Sequence, residues 1–508
     1  MKRNALILVA ATLCLSSCSA ANNSSLIEND PIEGSSFISA EDVSSIEGSE
    51  SSFPAESSRV STAEGSSSFA QPIDPTSESL YKNQTYLNYV GDVQSVWKSY
   101  LGDGQLIAVI DTGFDIDHSE FKRPDGSSKV SSKSARIHHE GGEVQVEVGA
   151  ENAKMTSGDS HGTFCAAVAA ASATGEGTVG IAPNADLLLL ATDGKPRSIC
   201  EAFRYAANNG ARIITISIGS YSDYVGDLVN DGSDLTTVFD EALKEVYEKG
   251  VVICSAAGNG GYDRPTEYTF PGGSDYVIGA GGLADKSRTS IWSGSSRNSE
   301  AKYQFCDVFA PADNLFNACN FYRDNEHFLY DGGWNGTSFA SPQIAGAAAL
   351  YFEKHPTHTN VDFERALYRT ADPLQGEAGG YGALNIKALM DYEKPADAEI
   401  EISFEDASWW SADEACTSVF AWGKSRTFST GTFPGVALSK EGALWTYRID
   451  KTIYDYLVFS RVSPTNEYWG AQTVDLNLSD FQNGSVYSIK NTEAAWTNDG
   501  NYVSGTLR

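Results

Sequence analysis

Four short runs constrain this chain more than anything else in it. QLIAVIDTG (105–113), ADLLLLATD (185–193), ARIITISIG (211–219) and GVVICSAAGN (250–259) are apolar without strict alternation, and each ends in Gly, Asp or Asn. A strand with one wet face alternates polar and apolar residues, whereas a continuously apolar strand is buried on both faces. Such strands need helices above and below them. Helical stretches lie between the runs: HGTFCAAVAAASA (161–173), SICEAFRYAANNG (198–210) and LTTVFDEALKEVYEKG (235–250). Residues 82–395 therefore predict an α/β domain with a parallel sheet between helix layers. Ligands in such folds collect at the carboxyl ends of the strands, so chemistry is expected where the runs close.

Asp111 closes the first run and Asn259 follows the fourth. His161 opens a helix, and Ser338 stands in NGTSFASP (335–342) at the mouth of an Ala- and Gly-rich helix. A Ser hydroxyl becomes a useful nucleophile when an imidazole takes its proton. The imidazole in turn needs a carboxylate to hold its tautomer and balance its charge. His supplies that base near neutral pH without large perturbation. A Ser at a helix N-terminus adds its own N–H to a developing oxyanion, and the Asn259 amide can add another donor. Gly336 lets a substrate backbone come close, and Pro342 is tolerated in the first helical turn.

DTG around Asp111, HGT at 161–163, AAGN at 256–259 and GTSFASP at 336–342 together resemble the four signature blocks of the subtilisin-like serine proteases, in that family's order. GTVGIAPNADLLLL (177–190), ISIGS (216–220) and DVFAPADNLFNA (307–318) extend the likeness over roughly residues 82–395. The resemblance implies a three-layer α/β/α fold around a largely parallel seven-stranded sheet, and endopeptidase activity on polypeptides. It implies Asp111 as orienter, His161 as base and then acid, Ser338 as nucleophile and Asn259 as oxyanion donor. Ser217, Ile218 and Gly219 would pair with the substrate backbone, and Ala256, Ala257 and Gly258 would form part of the first specificity pocket. No cofactor is required. Three features depart from the pattern. Gln343 stands where His is common, residues 129–158 read as an inserted hairpin, and Glu120 stands where some members place an Asp calcium ligand. Calcium is thus an option with no other residue behind it. His138-His139 reads as an exposed turn rather than a metal pair. The alternative function is a surface binding protein on an inactive protease scaffold, although no member of the tetrad is missing.

The N-terminus reads MKRNALILVAATLCLSSC: a basic start, then an apolar stretch too short to span a bilayer. Leu15-Ser16-Ser17-Cys18 resembles a bacterial lipobox, which implies cleavage before Cys18, acylation there, and anchoring to the outer face of a bacterial membrane. An ordinary signal peptide is the other reading. Residues 19–80 hold 19 Ser and 11 Asp or Glu against one Arg, and the phrases IEGSSF, IEGSESSF and AEGSSSF echo one another. Such a segment has no core to offset the entropy of ordering, so residues 18–81 read as a disordered tether; a cleaved pro-segment is the alternative.

A net charge of −31 excludes a nucleic-acid partner of the usual basic kind. Six cysteines follow Cys18, none in metal spacing; Cys165 and Cys254 read as buried thiols, and Cys306–Cys319 is the one disulfide pairing to consider. Residues 396–508 lose helical periodicity and gain Trp409, Trp410, Trp422, Trp445, Trp469 and Trp496. They predict an all-β sandwich. It resembles starch-binding-type modules, which leaves two readings: glycan binding through exposed rings, or a spacer whose aromatics form its core. A monomer is expected.

Overall fold

In the computed structural model, which describes residues 73–155, 160–221, 235–299, 305–323, 326–375, 379–423, 433–490, 492 and 501–508, the four apolar runs lie in one sheet. A helical turn α1 (Val93–Val96) precedes β1 (Leu106–Asp111) and the hairpin β2 (Ala135–Glu140) and β3 (Glu143–Val148). Then come α2 (His161–Ala170), β4 (Asp186–Thr192), α3 (Pro196–Asn208), β5 (Ile213–Ile216) and β6 (Ser220–Tyr221). They are followed by α4 (Leu235–Glu248), β7 (Val252–Ala256), β8 (Thr269–Phe270), β9 (Ile278–Leu283) and β10 (Val308–Pro311). A long hairpin, β11 (Leu315–Arg323) and β12 (Glu326–Trp334), leads to α5 (Ala340–Lys354), α6 (Asn360–Thr370), β13 (Gly382–Ala383) and α7 (Ile386–Asp391).

The sheet order is β13-β10-β9-β7-β5-β1-β4-β2-β3. The seven strands from β10 to β2 are parallel, as expected. The sheet nevertheless has nine strands rather than seven. The short β13 adds one edge, and the inserted hairpin extends the other through antiparallel β3 instead of projecting away. His138 and His139 consequently lie in strand β2, partly buried, and not in an exposed turn. Residues of β1 divide between two cores. Ile107 and Val109 join the α2 and α5 side, while Ala108 and Ile110 join the α3 and α4 side. That division is why the run cannot alternate in polarity.

Helix α5 runs through the first of these cores, with every residue from Ala340 to Phe352 buried. Its small residues follow from close approach: a Cβ on Gly346 would lie 2.5 Å from the Cβ of Ile181. Gln343, where the resemblance favours His, donates from Nε2 to the carbonyls of Pro311 and Phe339.

Packing on the α/β core extends to residues before 82. Ile73 packs on the core, Pro75 and Glu78 are buried, and Glu78 accepts the Gly175 N–H. The predicted signal, Cys18 and the tether up to residue 72 lie outside the described residues. Cys306 and Cys319 are both free thiols and belong to separate apolar clusters, so the pairing considered above is not made. Among the described residues no helix is long and apolar enough to cross a membrane.

The C-terminal region contains β14 (Glu399–Glu405), β15 (Cys416–Trp422), β16 (Val436–Ala437), β17 (Ser439–Glu441), β18 (Leu444–Asp450) and β19 (Tyr456–Val462). It continues with β20 (Tyr468–Thr473), β21 (Leu476–Asn477), β22 (Ser485–Ser488), β23 (Asn501–Val503) and β24 (Thr506–Leu507). One sheet runs β17-β18-β14-β22-β24 and the other β16-β15-β19-β20-β23. Trp410, Trp445, Phe404, Phe459 and Tyr487 fill the core they share. Trp422 lies outside it, stacked between Phe420 and Tyr456, and Trp469 lies under the Arg461 guanidinium. Trp496 lies outside the described residues.

Candidate active site

Asp111 ends β1 fully buried, and His161 opens α2 in contact with it: Nδ1 lies 3.0 Å from Oδ1 and 2.9 Å from Oδ2. The approach requires glycine next in sequence. A Cβ on Gly162 would meet the Gly113 carbonyl at 2.4 Å and the Asp111 Cβ at 2.9 Å. An aromatic group steadies the ring, with His161 5.8 Å from Phe339 and Phe339 packed on Phe164 and Trp334.

Burial, the strongest influence on His161, works against a charged imidazole. The Asp111 carboxylate and the Cys165 sulfur together outweigh it and hold His161 well above its ordinary value. Cys165, one helical turn on, lies 3.9 Å from Nδ1, and burial pushes its thiol up. Asp111, His161 and Cys165 are the one group of three potential metal donors among the described residues, all within 4.8 Å. A protonated thiol and an Nδ1 already engaged by carboxylate make this a hydrogen-bonded cluster rather than a metal centre.

Ser338 sits in the 3₁₀ turn Thr337–Phe339 that feeds α5, buried. Its hydroxyl donates to the Ser217 carbonyl at 3.2 Å. Its own carbonyl accepts from Ser217 Oγ at 2.7 Å and from the Cys165 thiol at 3.5 Å. Asn259 is fixed by Thr337, whose N–H and O–H both donate to Oδ1 at 2.9 Å. That assigns the amide, leaving Nδ2 on the side of Gly336, where a Cβ would lie 3.7 Å from it. All four predicted residues are therefore gathered at one end of the sheet. Sequence does not single out Thr337, and it reads Ser217 as a substrate partner and Cys165 as a buried thiol rather than as supports of the site; the i+4 spacing of Cys165 from His161 is the one local signal.

Ser217, Ile218 and Gly219 lead from β5 into β6, and Ala256, Ala257 and Gly258 end β7 and continue past it. These two segments face each other across β8: a Cβ on Gly219 would meet the Phe270 carbonyl at 2.3 Å, and Gly258 has φ +116°, with Thr269 beside it. Both segments thus pack against β8, on either side of Thr269.

Glu120 is engaged by donors from distant parts of the chain. Its Oε1 accepts the Thr178 N–H at 3.1 Å and the Tyr330 O–H at 2.6 Å. The nearby loop offers N–H groups to side chains, Gly175 to Glu78, Gly177 to Ser79 and Val179 to Gln84. Its Glu176, Gly177 and Val179 carbonyls are taken by Thr174, Leu80 and Gln84. Oε2 of Glu78, Oε2 of Glu120 and the hydroxyl oxygens of Ser172 and Thr178 are buried there without a hydrogen-bond partner among the described residues. Burial pushes Glu120 up to about 8, so a proton occupies it at neutral pH.

Comparison with known proteins agrees with this geometry. Subtilisin DY of Bacillus licheniformis is 29% identical over 306 residues, 59% of this chain and 93% of its own length. Subtilisin E of Bacillus subtilis is 29% identical over 57% of this chain and 67% of its own. In structure, fervidolysin from Fervidobacterium pennivorans, a keratinolytic enzyme related to subtilisin, superposes with a TM-score of 0.52 at 20% identity. That match covers 78% of this chain and 59% of fervidolysin. The model of the subtilase family matches residues 102–388, and the chain belongs to that family as a subtilisin-like serine endopeptidase.

Proposed function

We propose that the chain cleaves polypeptides at a cell surface through an acyl-enzyme, with Asp111, His161 and Ser338 as triad and Asn259 as oxyanion donor. The observation that carries this reading is the Asp111–His161 pair, buried, at 2.9–3.0 Å, beside a Ser at the entrance of α5. His161 takes the Ser338 proton as Oγ attacks the substrate carbonyl, then delivers it to the leaving amine. Water repeats the sequence to release the acid. The Ser338 hydroxyl now donates to the Ser217 carbonyl. A substrate strand pairing with Ser217–Gly219 competes for that carbonyl and frees the hydroxyl for His161. Asn259 Nδ2, aimed by Thr337, meets the oxyanion.

Surface location rests on the lipobox-like Leu15–Cys18, and the acidic Ser-rich segment after it supports a tether on the order of 40–50 Å. The rings of Phe420, Trp422 and Tyr456 outside the sandwich core support a glycan contact by the accessory domain. The reading requires no ion and no second copy of the chain. A fluorophosphonate probe tests it: labelling of the wild type and not of Ser338→Ala is expected. Absence of labelling in folded protein would reject the activated serine and leave a binding scaffold. Detergent-phase partitioning of wild type against Cys18→Ala checks the anchor; equal partitioning removes it.

A further inference from the structure

The space between two walls, residues 217–221 and 256–260, is where the resemblance to subtilisin-like proteases places the side chain before the scissile bond, with Ser338 as the nucleophile as read above. What limits its depth is β8. Strands β6 and β8 pair antiparallel with Tyr221 directly opposite Thr269, so both side chains project from the same face. That face is the one turned to the second wall. Thr269 Oγ1 donates to the Ala256 carbonyl at 3.3 Å, and the Thr269 N–H to Ala257 at 3.4 Å. A Cβ on Gly258 would lie 3.2 Å from Thr269 Cγ2 and 3.5 Å from the Tyr221 hydroxyl oxygen. On the first wall, a Cβ on Gly219 would lie 3.4 Å from the Thr269 Cβ.

Thr269 therefore touches both walls at once, and Tyr221 closes the space beside it. A Cβ on Gly260 would come within 2.9 Å of the same Tyr221 hydroxyl. The ring is held by the Arg264 guanidinium, 4.9 Å from its centroid. Thr269 and Tyr221 are both buried. Neither can step aside into solvent, because Thr269 is tied to two wall carbonyls and Tyr221 is clamped between Arg264 and the glycine wall.

We infer that Thr269 and Tyr221 plug the specificity slot, so that the enzyme cleaves after small residues, Gly, Ala or Ser, and rejects large apolar and aromatic ones. An aromatic ring would need the volume that these two side chains occupy, and a packed site resists even added methylenes. The inference rests on the triad reading for which bond is cut, but not for the shape of the slot.

The full-length chain is tested on quenched peptides differing only at the residue before the scissile bond, Ala, Leu or Phe. The expected kcat/KM ratio favours Ala over Phe on the order of 10²-fold. Thr269→Gly should shift the Phe-to-Ala ratio upward by about 10–100-fold, and Thr269→Ser, which keeps the bond to Ala256, by less. A wild type that prefers Phe, or a ratio unmoved in both variants, overturns the inference. Product peptides ending in Ala or Phe, read by thermal shift, carry the same comparison without turnover. Stabilisation by the Ala end alone, extended to Phe in Thr269→Gly, supports the plug even where fluorophosphonate labelling fails; equal stabilisation by both ends in the wild type refutes it.

Discussion

His161 shows how a buried residue can keep a charge that burial opposes. Desolvation is the largest single influence, and the Asp111 carboxylate, at hydrogen-bond distance from Nδ1, together with Cys165 outweighs it. Catalysis uses the neutral ring as base. Activity should thus be present above the raised His161 value and lost as pH falls through it, giving an acid limb above the ordinary 6.5. Asp111→Asn should move that limb down and lower kcat on the order of 10⁴-fold, read from pH–rate profiles. Asn259 uses Oδ1 to hold Thr337, which leaves Nδ2 for the proposed oxyanion. Asn259→Asp keeps the acceptor and loses the donor. We expect kcat to fall by about 10²–10³ with KM little changed, and a melting temperature closer to wild type than that of Asn259→Ala.

At the scale of elements, the β11–β12 hairpin reaches back to the turn after β1 through Tyr330 and Glu120. Glu120 is raised from 4.5 to about 8, chiefly by burial, so the fold holds a proton that the unfolded chain releases earlier. Its contribution to stability is full below about 4.5 and is lost as pH rises through about 8. Glu120→Gln cannot release that proton. The melting temperature of the variant relative to wild type should rise across this window, measured by calorimetry in a pH series. Glu78 is raised in the same direction and couples to Glu120, so the difference reads Glu120 together with its effect on that neighbour. The element-level expectations held where signals were local. Strands and helices of the α/β domain carried their periodicity and their Gly or Asp ends in contiguous residues. The Tyr330–Glu120 bond did not, because its partners meet only when a hairpin far along the chain folds back.

The whole molecule joins its two folded parts through charge as well as apolar contact. Arg365 of α6, buried, pairs with Asp362 on its own helix and with Asp450 at the end of β18. Lys394 reaches the same Asp450, and Arg369 bonds the Thr452 carbonyl and Asp455. Ile453 and Tyr454 pack on the α/β core beside them. Removing Arg365 takes one of two cations from buried Asp450 and leaves Lys394, so the cost should fall below the roughly 3–5 kcal/mol of a buried charge left alone. Arg365→Ala should convert one cooperative unfolding transition into two by calorimetry, with faster proteolysis between residues 393 and 398.

Sequence by itself determined the parallel sheet, the four residues gathered at its end, the inserted hairpin and the change to an all-β region at residue 396. Each is written in contiguous residues: apolar runs without alternation, glycines where helix and strand touch, a change in periodicity. Tertiary structure alone decided the rest. The edges of the sheet, the packing of Ile73 on the core, the donors around Glu120 and the docking through Arg365 all depend on partners distant in the chain. So does the slot, because which way Thr269 points is set by its pairing with Tyr221, and two-residue strands leave no pattern to read. Burial and pairing across the chain, not local propensity, settle what such residues do.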